Sequence, residues 1–357
     1  MDIDQPTDIR QGEALDLEKL NSFLSTQKSI GTVVSQKQFP GGYSNLTYLV
    51  ETAQAEFILR RPPFGAAIKS AHDMGREFKV LSLLRSHYSK VPQPILYCED
   101  LDVMGTPFYI MQRIRGLILR PSIIKEIKLD STQMRALSES LVDNLVDLHR
   151  VDIQGSGLFQ LSKSSQTPTE HAGYVTRQVD GWTKRYAAAQ TDVIPTMDEL
   201  ANWLQKNQPA DGPHCLIHND YKYDNIIFNP DRLPEILGVL DWEMATIGDP
   251  WMDLGASLAY WAEPGEGDLA RVFNVSWLPG NLTRKEVVER YTELSGRSVD
   301  SPVFYYVFGL FKNAVIAQQI YARWKLGHSK DPRFGQLIHV IKDLGRRGVA
   351  SVSSNTL

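Results

Sequence analysis

The chain has 357 residues, 42% of them hydrophobic and 22% charged, with 38 Lys and Arg against 42 Asp and Glu and a formal net charge of −4. That length accommodates two lobes with cores of their own, and the slightly acidic balance excludes a broad attraction to nucleic acid or to an anionic membrane. The only cysteines, Cys98 and Cys215, stand among apolar neighbours and read as reduced core thiols. Met1-Asp2-Ile3-Asp4 is acidic and lacks the pattern of a signal peptide, so a cytoplasmic location is expected.

Leu15, Leu17, Leu20, Phe23 and Leu24 recur at helical spacing and predict a first helix after a polar lead-in. Three short strands follow, around Val33-Val34, Tyr48-Leu49-Val50 and Phe57-Ile58-Leu59. The turn between the first two contains Gly41, Gly42, Ser44 and Asn45; the glycines let the backbone approach an anion and the polar pair adds donors. Taken alone, this stretch reads more readily as an ordinary Gly-Gly hairpin turn, a preference that the motif further along the chain reverses. Alternation in the third strand puts Ile58 and Arg60 on one face and Phe57, Leu59 and Arg61 on the other. A helix is expected over roughly 71–88, with Met74, Phe78, Leu81 and Leu84 as its apolar stripe and Glu77 beside it. Ile95 to Cys98 and Phe108 to Met111 complete the strands of the small lobe, and Met111-Gln112-Arg113 leads out of it.

The remainder reads as mainly helical. Met134, Leu137, Leu141, Leu145 and Leu148 mark a long helix ending at His149 and Arg150. A polar, Ser-rich connection follows, then helices over His171 to Ala188 and Met197 to Gln205. The first of these carries Arg177, Trp182, Lys184, Arg185 and Tyr186, which read equally as a recognition surface or as a solvated helix with one buried Trp. Further helices are expected over Leu254 to Trp261, Arg284 to Ser295, Val303 to Trp324 and near Leu337 to Ile341. The apolar run beginning at Val303 is cut by Lys312 and Asn313 and is too short to span a bilayer.

Chemistry concentrates in His218-Asn219-Asp220-Tyr221-Lys222-Tyr223-Asp224-Asn225, flanked by apolar strand ends, and in Leu240-Asp241-Trp242-Glu243. An Asp can accept a proton from an attacking hydroxyl, while an Asn and a second Asp can hold magnesium on nucleotide phosphates. His-x-Asp, an Asn five positions after that Asp, and an apolar strand ending in Asp resemble the catalytic loop and metal-binding Asp of the kinase-like fold. With Gly248-Asp249-Pro250 and Asp253-Leu254 following, the pattern is similar to the aminoglycoside phosphotransferase and choline kinase group. The tract from Gly238 to Gly255 most resembles a branch of that group associated with acyl-CoA dehydrogenases. His214, Cys215 and His218 match no familiar zinc spacing.

The resemblance implies an α+β, two-lobed protein kinase-like fold, with an antiparallel-sheet lobe carrying one key helix (residues 1–115) and a mainly helical lobe (residues 116–357). It implies ATP or GTP bound at the hinge through Met111 and Arg113, lined by Ile58. Its phosphates would be steadied by Gly41, Gly42, Ser44 and Asn45 and by Arg60 held by Glu77, with Arg61 as the alternative cation. Asp220 would be catalytic, and Asn225 and Asp241 would bind magnesium. Glu243 reads equally as a group orienting metal-bound water or as a surface acid, and His218 as structural. The tract from Asp241 to Asp249 is too short for a protein kinase's activation segment, which favours a small hydroxylated acceptor. The acyl-CoA dehydrogenase association points to a hydroxyacyl-CoA, whose adenine would stack on Trp182 and Tyr186 and whose phosphates would meet Arg177, Lys184 and Arg185. The alternatives are an aminoglycoside or choline kinase and an inactive nucleotide-binding scaffold.

Overall fold

The computed structural model describes residues 5–27, 30–40, 45–63, 73–124, 127–161, 173–272, 274–329 and 331–357. The first elements in chain order are α1 (Leu17–Ser25), β1 (Val33–Gln38), β2 (Leu46–Thr52), β3 (Glu56–Arg61), α2 (Met74–Leu84), β4 (Pro94–Cys98), α3 (Leu101–Met104), β5 (Phe108–Gln112) and α4 (Ser131–His149). They continue with α5 (Tyr174–Ala189), α6 (Pro195–Lys206), β6 (Cys215–Ile217), β7 (Ile226–Phe228), β8 (Ile236–Val239) and β9 (Thr246–Gly248). The chain ends with α7 (Pro250–Tyr260), α8 (Asp268–Arg271), α9 (Arg284–Ser295), α10 (Pro302–Lys325) and α11 (Leu337–Ser354).

Two compact units form. One comprises Met1–Ile118, Gln154–Leu158 and Ile226–Ala245; the other comprises Leu119–Ile153, Phe159–Asn225 and Thr246–Leu357. In the first, five antiparallel strands run in the order β1-β2-β3-β5-β4. Tyr48, Val50, Leu59, Phe108 and Ile110 turn to one face and pack with Leu20 and Leu24 of α1. Period-two alternation then sends Ile58 and Arg60 to the opposite face, where α2 lies with Phe78 stacked on Tyr97 at 5.7 Å. Helix α2 is shorter than the expected span. Asp73 caps its start by accepting the Arg76 N–H at 2.9 Å, and beyond Leu84 the chain bends into a turn that still buries Tyr88. The β7–β8 hairpin, ending just before Asp241, joins this unit through reciprocal hydrogen bonds between Leu117 and Phe228 and a bond from the Val239 N–H to the Lys90 carbonyl.

The second unit is mainly helical, with β6 and β9 as its antiparallel pair. Asp130 and Gln133 form a capping box at the start of α4. Asp249 caps α7, with Pro250 at the first helical position where a missing N–H costs nothing. Helices α7 and α10 cross closely because each presents a glycine at the contact. A Cβ on Gly309 would lie 2.2 Å from the Gly255 carbonyl oxygen, and one on Gly255 would lie 2.2 Å from the Tyr305 carbonyl oxygen. Helix α10 is buried along nearly its whole length, from Val303 to Ala322. Among the described residues no helix is long and apolar enough to cross a membrane.

Backbone atoms block the added methyl at that crossing, so the helices must separate to admit it. Gly309→Ala is expected to destabilise the protein by about 1–3 kcal/mol, read as a lower midpoint in thermal or urea unfolding. An unchanged midpoint would show that the crossing is not tightly packed.

Candidate functional site

In the helical unit, the fully buried β6 delivers His218, Asn219 and Asp220 to a turn. Asn219 has φ 68°, the left-handed conformation that Asn adopts more readily than most residues. The turn is held by Asp253, one helical turn into α7. Its Oδ2 accepts the His218 N–H at 2.7 Å and its Oδ1 accepts the Asn219 N–H at 2.6 Å. His149 Nε2 lies 3.1 Å from the same Oδ2, and His149 Nδ1 meets the Tyr291 hydroxyl at 2.8 Å. Burial alone would raise the Asp253 pKa; the bond and charge of His149, with His218, outweigh it and hold the carboxyl below its ordinary range. His218 is fully buried, and its Nδ1 accepts the Asp220 N–H at 3.2 Å.

Asp220 is fixed from several directions. Lys222 Nζ donates to Oδ1 at 2.9 Å and to Oδ2 at 2.7 Å. Asn225, at the end of a 3-10 turn, donates through Nδ2 to the Asp220 carbonyl at 2.7 Å and to Oδ2 at 2.9 Å. This use of the amide nitrogen turns the Asn225 carbonyl oxygen, the atom a hard cation would take, away from Asp220. Burial pushes the Asp220 pKa up, but Lys222 above all, then His218 and Lys312, bring it below the usual carboxylate value, so Asp220 is ionised at neutral pH. Lys312 of α10 donates to the Asn219 carbonyl at 2.7 Å.

In the sheet unit, Arg60 stands opposite Thr47 and Tyr109 in the register. Its Nη1 lies 3.3 Å from Glu77 Oε1, and its Nη2 lies 3.1 Å from Asp241 Oδ1 and 3.9 Å from Glu243 Oε2. Arg60 Nε has no hydrogen-bond partner among the described residues. Burial opposes the charge on Arg60, but Glu77 and the other carboxylates raise its pKa, so it stays a cation. Arg61 lies on the other face, bonding the Pro62 carbonyl at 3.1 Å. Asp241 has φ 65° and precedes the buried Trp242, whose indole N–H donates to the Val239 carbonyl at 2.9 Å. Glu243 is no isolated surface acid, since its Oε2 accepts from Asn45 Nδ2 at 2.7 Å. Arg76, next to Glu77 on α2, donates to the Glu243 carbonyl at 3.0 Å and to the Ala245 carbonyl.

The structure thus brings together Arg60, Glu77, Asn45 and Asp241 in one unit and Asp220 and Asn225 in the other. Ile58 and Met111 are buried neighbours across β3 and β5. The Arg113 side chain is engaged by Glu56 at 2.7 Å. Gly41, Gly42 and Ser44 lie outside the described residues. On α5 the expectation of two stacking aromatics is corrected. Trp182 and Tyr186 are buried, Tyr186 against Phe311, because the helix turns its apolar stripe inward; Arg177, Lys184 and Arg185 are the exposed members. Sequence reasoning placed Asp253 in the family pattern without giving it a role, and missed Lys222, Lys312 and Arg76 as contributors. Two of them carried a further signal: Lys222 two residues after Asp220, and Lys312 as a cation interrupting the apolar run from Val303.

Residues 35–287 match the family described as "Phosphotransferase enzyme family". The chain belongs to this family. It is 33% identical over 354 residues to acyl-CoA dehydrogenase family member 11 of Rattus norvegicus, covering 98% of this chain and 44% of that protein. The chain therefore spans less than half the length of this relative. It is also 25% identical over 250 residues to a homoserine kinase of Brucella anthropi, covering 68% of each chain. Among solved structures, a protein of Ralstonia eutropha JMP134 provisionally assigned as an aminoglycoside phosphotransferase aligns with TM-score 0.77 and 26% identity, covering 96% of this chain and 99% of that one. Spectinomycin phosphotransferase APH(9)-Ia, in complex with ADP and spectinomycin, aligns with TM-score 0.59 and 13% identity over 93% of this chain and 98% of that one, a likeness of fold. The fold is the α+β protein kinase-like fold.

Arg60 and Glu77 are both nearly inaccessible, so removing either strands the other's charge. A double-mutant cycle of Arg60→Ala and Glu77→Ala, read by urea unfolding, is expected to show a coupling of about 1–3 kcal/mol. Additive losses would show that the other carboxylates alone satisfy Arg60.

Proposed function

We propose that this chain is an ATP-dependent kinase of a small alcohol and that the alcohol is a hydroxylated acyl-CoA. The observation that carries the kinase reading is the fixing of the Asp220 carboxylate by Lys222 and Asn225 on a turn anchored by a buried Asp. In this reading Asp220 accepts the hydrogen bond of the acceptor hydroxyl and aims its oxygen for attack on the γ-phosphate. Pre-positioning of this kind supplies much of the catalysis in phosphoryl transfer, where little covalent chemistry falls to the protein.

The residues suit magnesium. Around Arg60 stand three carboxylates, from Glu77, Asp241 and Glu243, with Arg76 as a second guanidinium on the Glu243 carbonyl, and the Asp241 side chain is 32% exposed. Among the described residues no three Asp, Glu, His or Cys side chains form a ready-made metal cluster, so the partly exposed Asp241 is the carboxylate open to a magnesium ion that also takes phosphate oxygens. Asp241 would hold it, with the Asn225 carbonyl oxygen, and when bound the metal would neutralise phosphate charge. Arg60 would supply the cation for a phosphate oxygen while Glu77 keeps the guanidinium in place. Asn45 would add a phosphate donor once it leaves Glu243. Met111 and the Arg113 backbone would meet the nucleobase of ATP or GTP.

Support for the acyl-CoA comes from the acyl-CoA dehydrogenase relatives and from α5, whose exposed Arg177, Lys184 and Arg185 suit a polyanion better than a polycationic aminoglycoside. Arg185 lies 4.6 Å over the Trp182 ring, which orients its guanidinium without consuming its hydrogen bonds. An acyl-CoA dehydrogenase would be the functional partner of such a kinase.

Asp220→Asn is expected to lower kcat about 100- to 10,000-fold with ATP affinity retained; near-normal turnover would remove Asp220 from its assigned role. Asp241→Ala should weaken magnesium-dependent ATP binding more than Asn225→Ala, because a full charge binds a hard cation better than an amide dipole. Titration of magnesium against bound nucleotide in each variant checks this, and equal affinities for Asp241→Ala and the unmutated protein would refute it. For the acceptor, ADP release is compared with a 4-hydroxyacyl-CoA, choline and kanamycin. Turnover is expected with the first alone; turnover of either other compound without it would reassign the substrate.

A further inference from the structure

Helix α10 is apolar and buried along almost all of its length, yet it carries Lys312, 2% exposed, near its middle. Burial is the chief reason that the Lys312 pKa falls to about 8; Asp253 and Asp220 oppose the fall, while Lys222 and Arg185 add to it. An ammonium in such a place is costly to keep and is repaid only by what it binds. Among the described residues its hydrogen bonds go to one, Asn219. Nζ donates to the Asn219 carbonyl at 2.7 Å and reaches the Asn219 side-chain oxygen at 3.3 Å. The Asn219 N–H is taken at 2.6 Å by Asp253. The residue immediately before Asp220, left-handed at φ 68°, is therefore held at its N–H by α7 and at both its oxygens by α10.

The helix crossing explains how both groups reach it. Gly255 and Gly309 let α7 and α10 approach to backbone contact, and they lie two residues after Asp253 and three before Lys312. The tight crossing thereby carries an anion and a cation to a single residue, one on each of its two flanking peptide groups. Trp182 of α5 completes the surroundings, with its ring centroid 5.9 Å from Nζ.

We infer that Lys312 is a positioning residue for phosphoryl transfer, locking the Asn219 backbone so that the Asp220 carboxylate faces the acceptor hydroxyl. The inference rests on the reading of Asp220 given above. Lys312 itself touches neither nucleotide nor acceptor; it acts through the turn.

The test compares Lys312→Met, Asn219→Gly, the double variant and Asp220→Asn in the full chain, following ADP release from ATP with a 4-hydroxyacyl-CoA and with water alone. Lys312→Met keeps the length and the apolar stem but not the ammonium. It is expected to lower kcat about tenfold or more, as misplacement of a reacting group does, with KM for ATP within about twofold. A residue serving stability alone would leave kcat of the folded fraction unmoved. Glycine adopts the left-handed conformation without help, so the loss should shrink when Lys312→Met is made in the Asn219→Gly background. If Lys312→Met does not fold, Lys312→Gln is read on the same scale. A kcat within about twofold of the unmutated protein, while Asp220→Asn is inactive, overturns the inference, as does a loss equally large in both backgrounds. Full activity of Asp220→Asn would instead sink the reading of Asp220, and this inference with it.

Discussion

A single buried carboxylate, Asp253, organises the helical unit. It has no solvent to hydrate its charge, so donors must surround it, and the structure supplies the N–H groups of His218 and Asn219 together with the ring of His149. The donors are consecutive peptide groups of the turn that ends in Asp220. Satisfying the buried charge and shaping the turn are therefore one act. His149 extends the network to Tyr291 of α9, so the end of α4, the start of α7 and α9 share one set of bonds.

The sheet unit solves an opposite problem, an excess of acidity. Glu77, Asp241 and Glu243 converge on Arg60, and α2 contributes two adjacent side chains to the arrangement. Glu77 meets the guanidinium, while Arg76 donates to the carbonyls of Glu243 and Ala245 just past Asp241. Successive residues on a helix point about 100° apart, which lets one turn of α2 engage both strand β3 and the segment after β8. A shift of α2 would move both contacts together. The Asp241 segment is fixed from its other side by Trp242, whose ring is buried beside Tyr88 and whose indole N–H is spent on Val239.

What could be read from the sequence follows from how local the signal is. Period-two alternation in Phe57-Ile58-Leu59-Arg60-Arg61 separates Arg60 from Arg61 without tertiary information, and the structure places Arg60 on the α2 face. The spacing of Asp220, Asn225 and Asp241 is likewise a local pattern, as is the Asp249-Pro250 cap. Asp253 and Lys312 were not legible as a pair because their meeting at Asn219 depends on the α7–α10 crossing, between residues 59 positions apart. Helical periodicity could not say which face of α5 turns inward. Trp182 and Tyr186 were therefore open to either reading until packing against α10 decided it. The limits of α2 were likewise set by capping at Asp73 and a turn after Leu84, features weaker in sequence than its apolar stripe.

The surroundings of Asp220 bear on which of its possible roles is the stronger. Both carboxylate oxygens already accept from Lys222, and one accepts also from Asn225. A carboxylate so engaged has surrendered much of its affinity for a proton. Lys222 itself is positioned by the face of Tyr260, 4.6 Å from its ring centroid, so the ammonium is held on Asp220 from two sides. On the proposed reading, this favours orientation of the acceptor hydroxyl over early removal of its proton. Phosphoryl transfer tolerates that choice, because its loose transition state asks for little nucleophile charge, and the proton can leave as the new bond forms. Weak basicity and rigid aim are then compatible demands, and the bonds that diminish the first are the same bonds that provide the second.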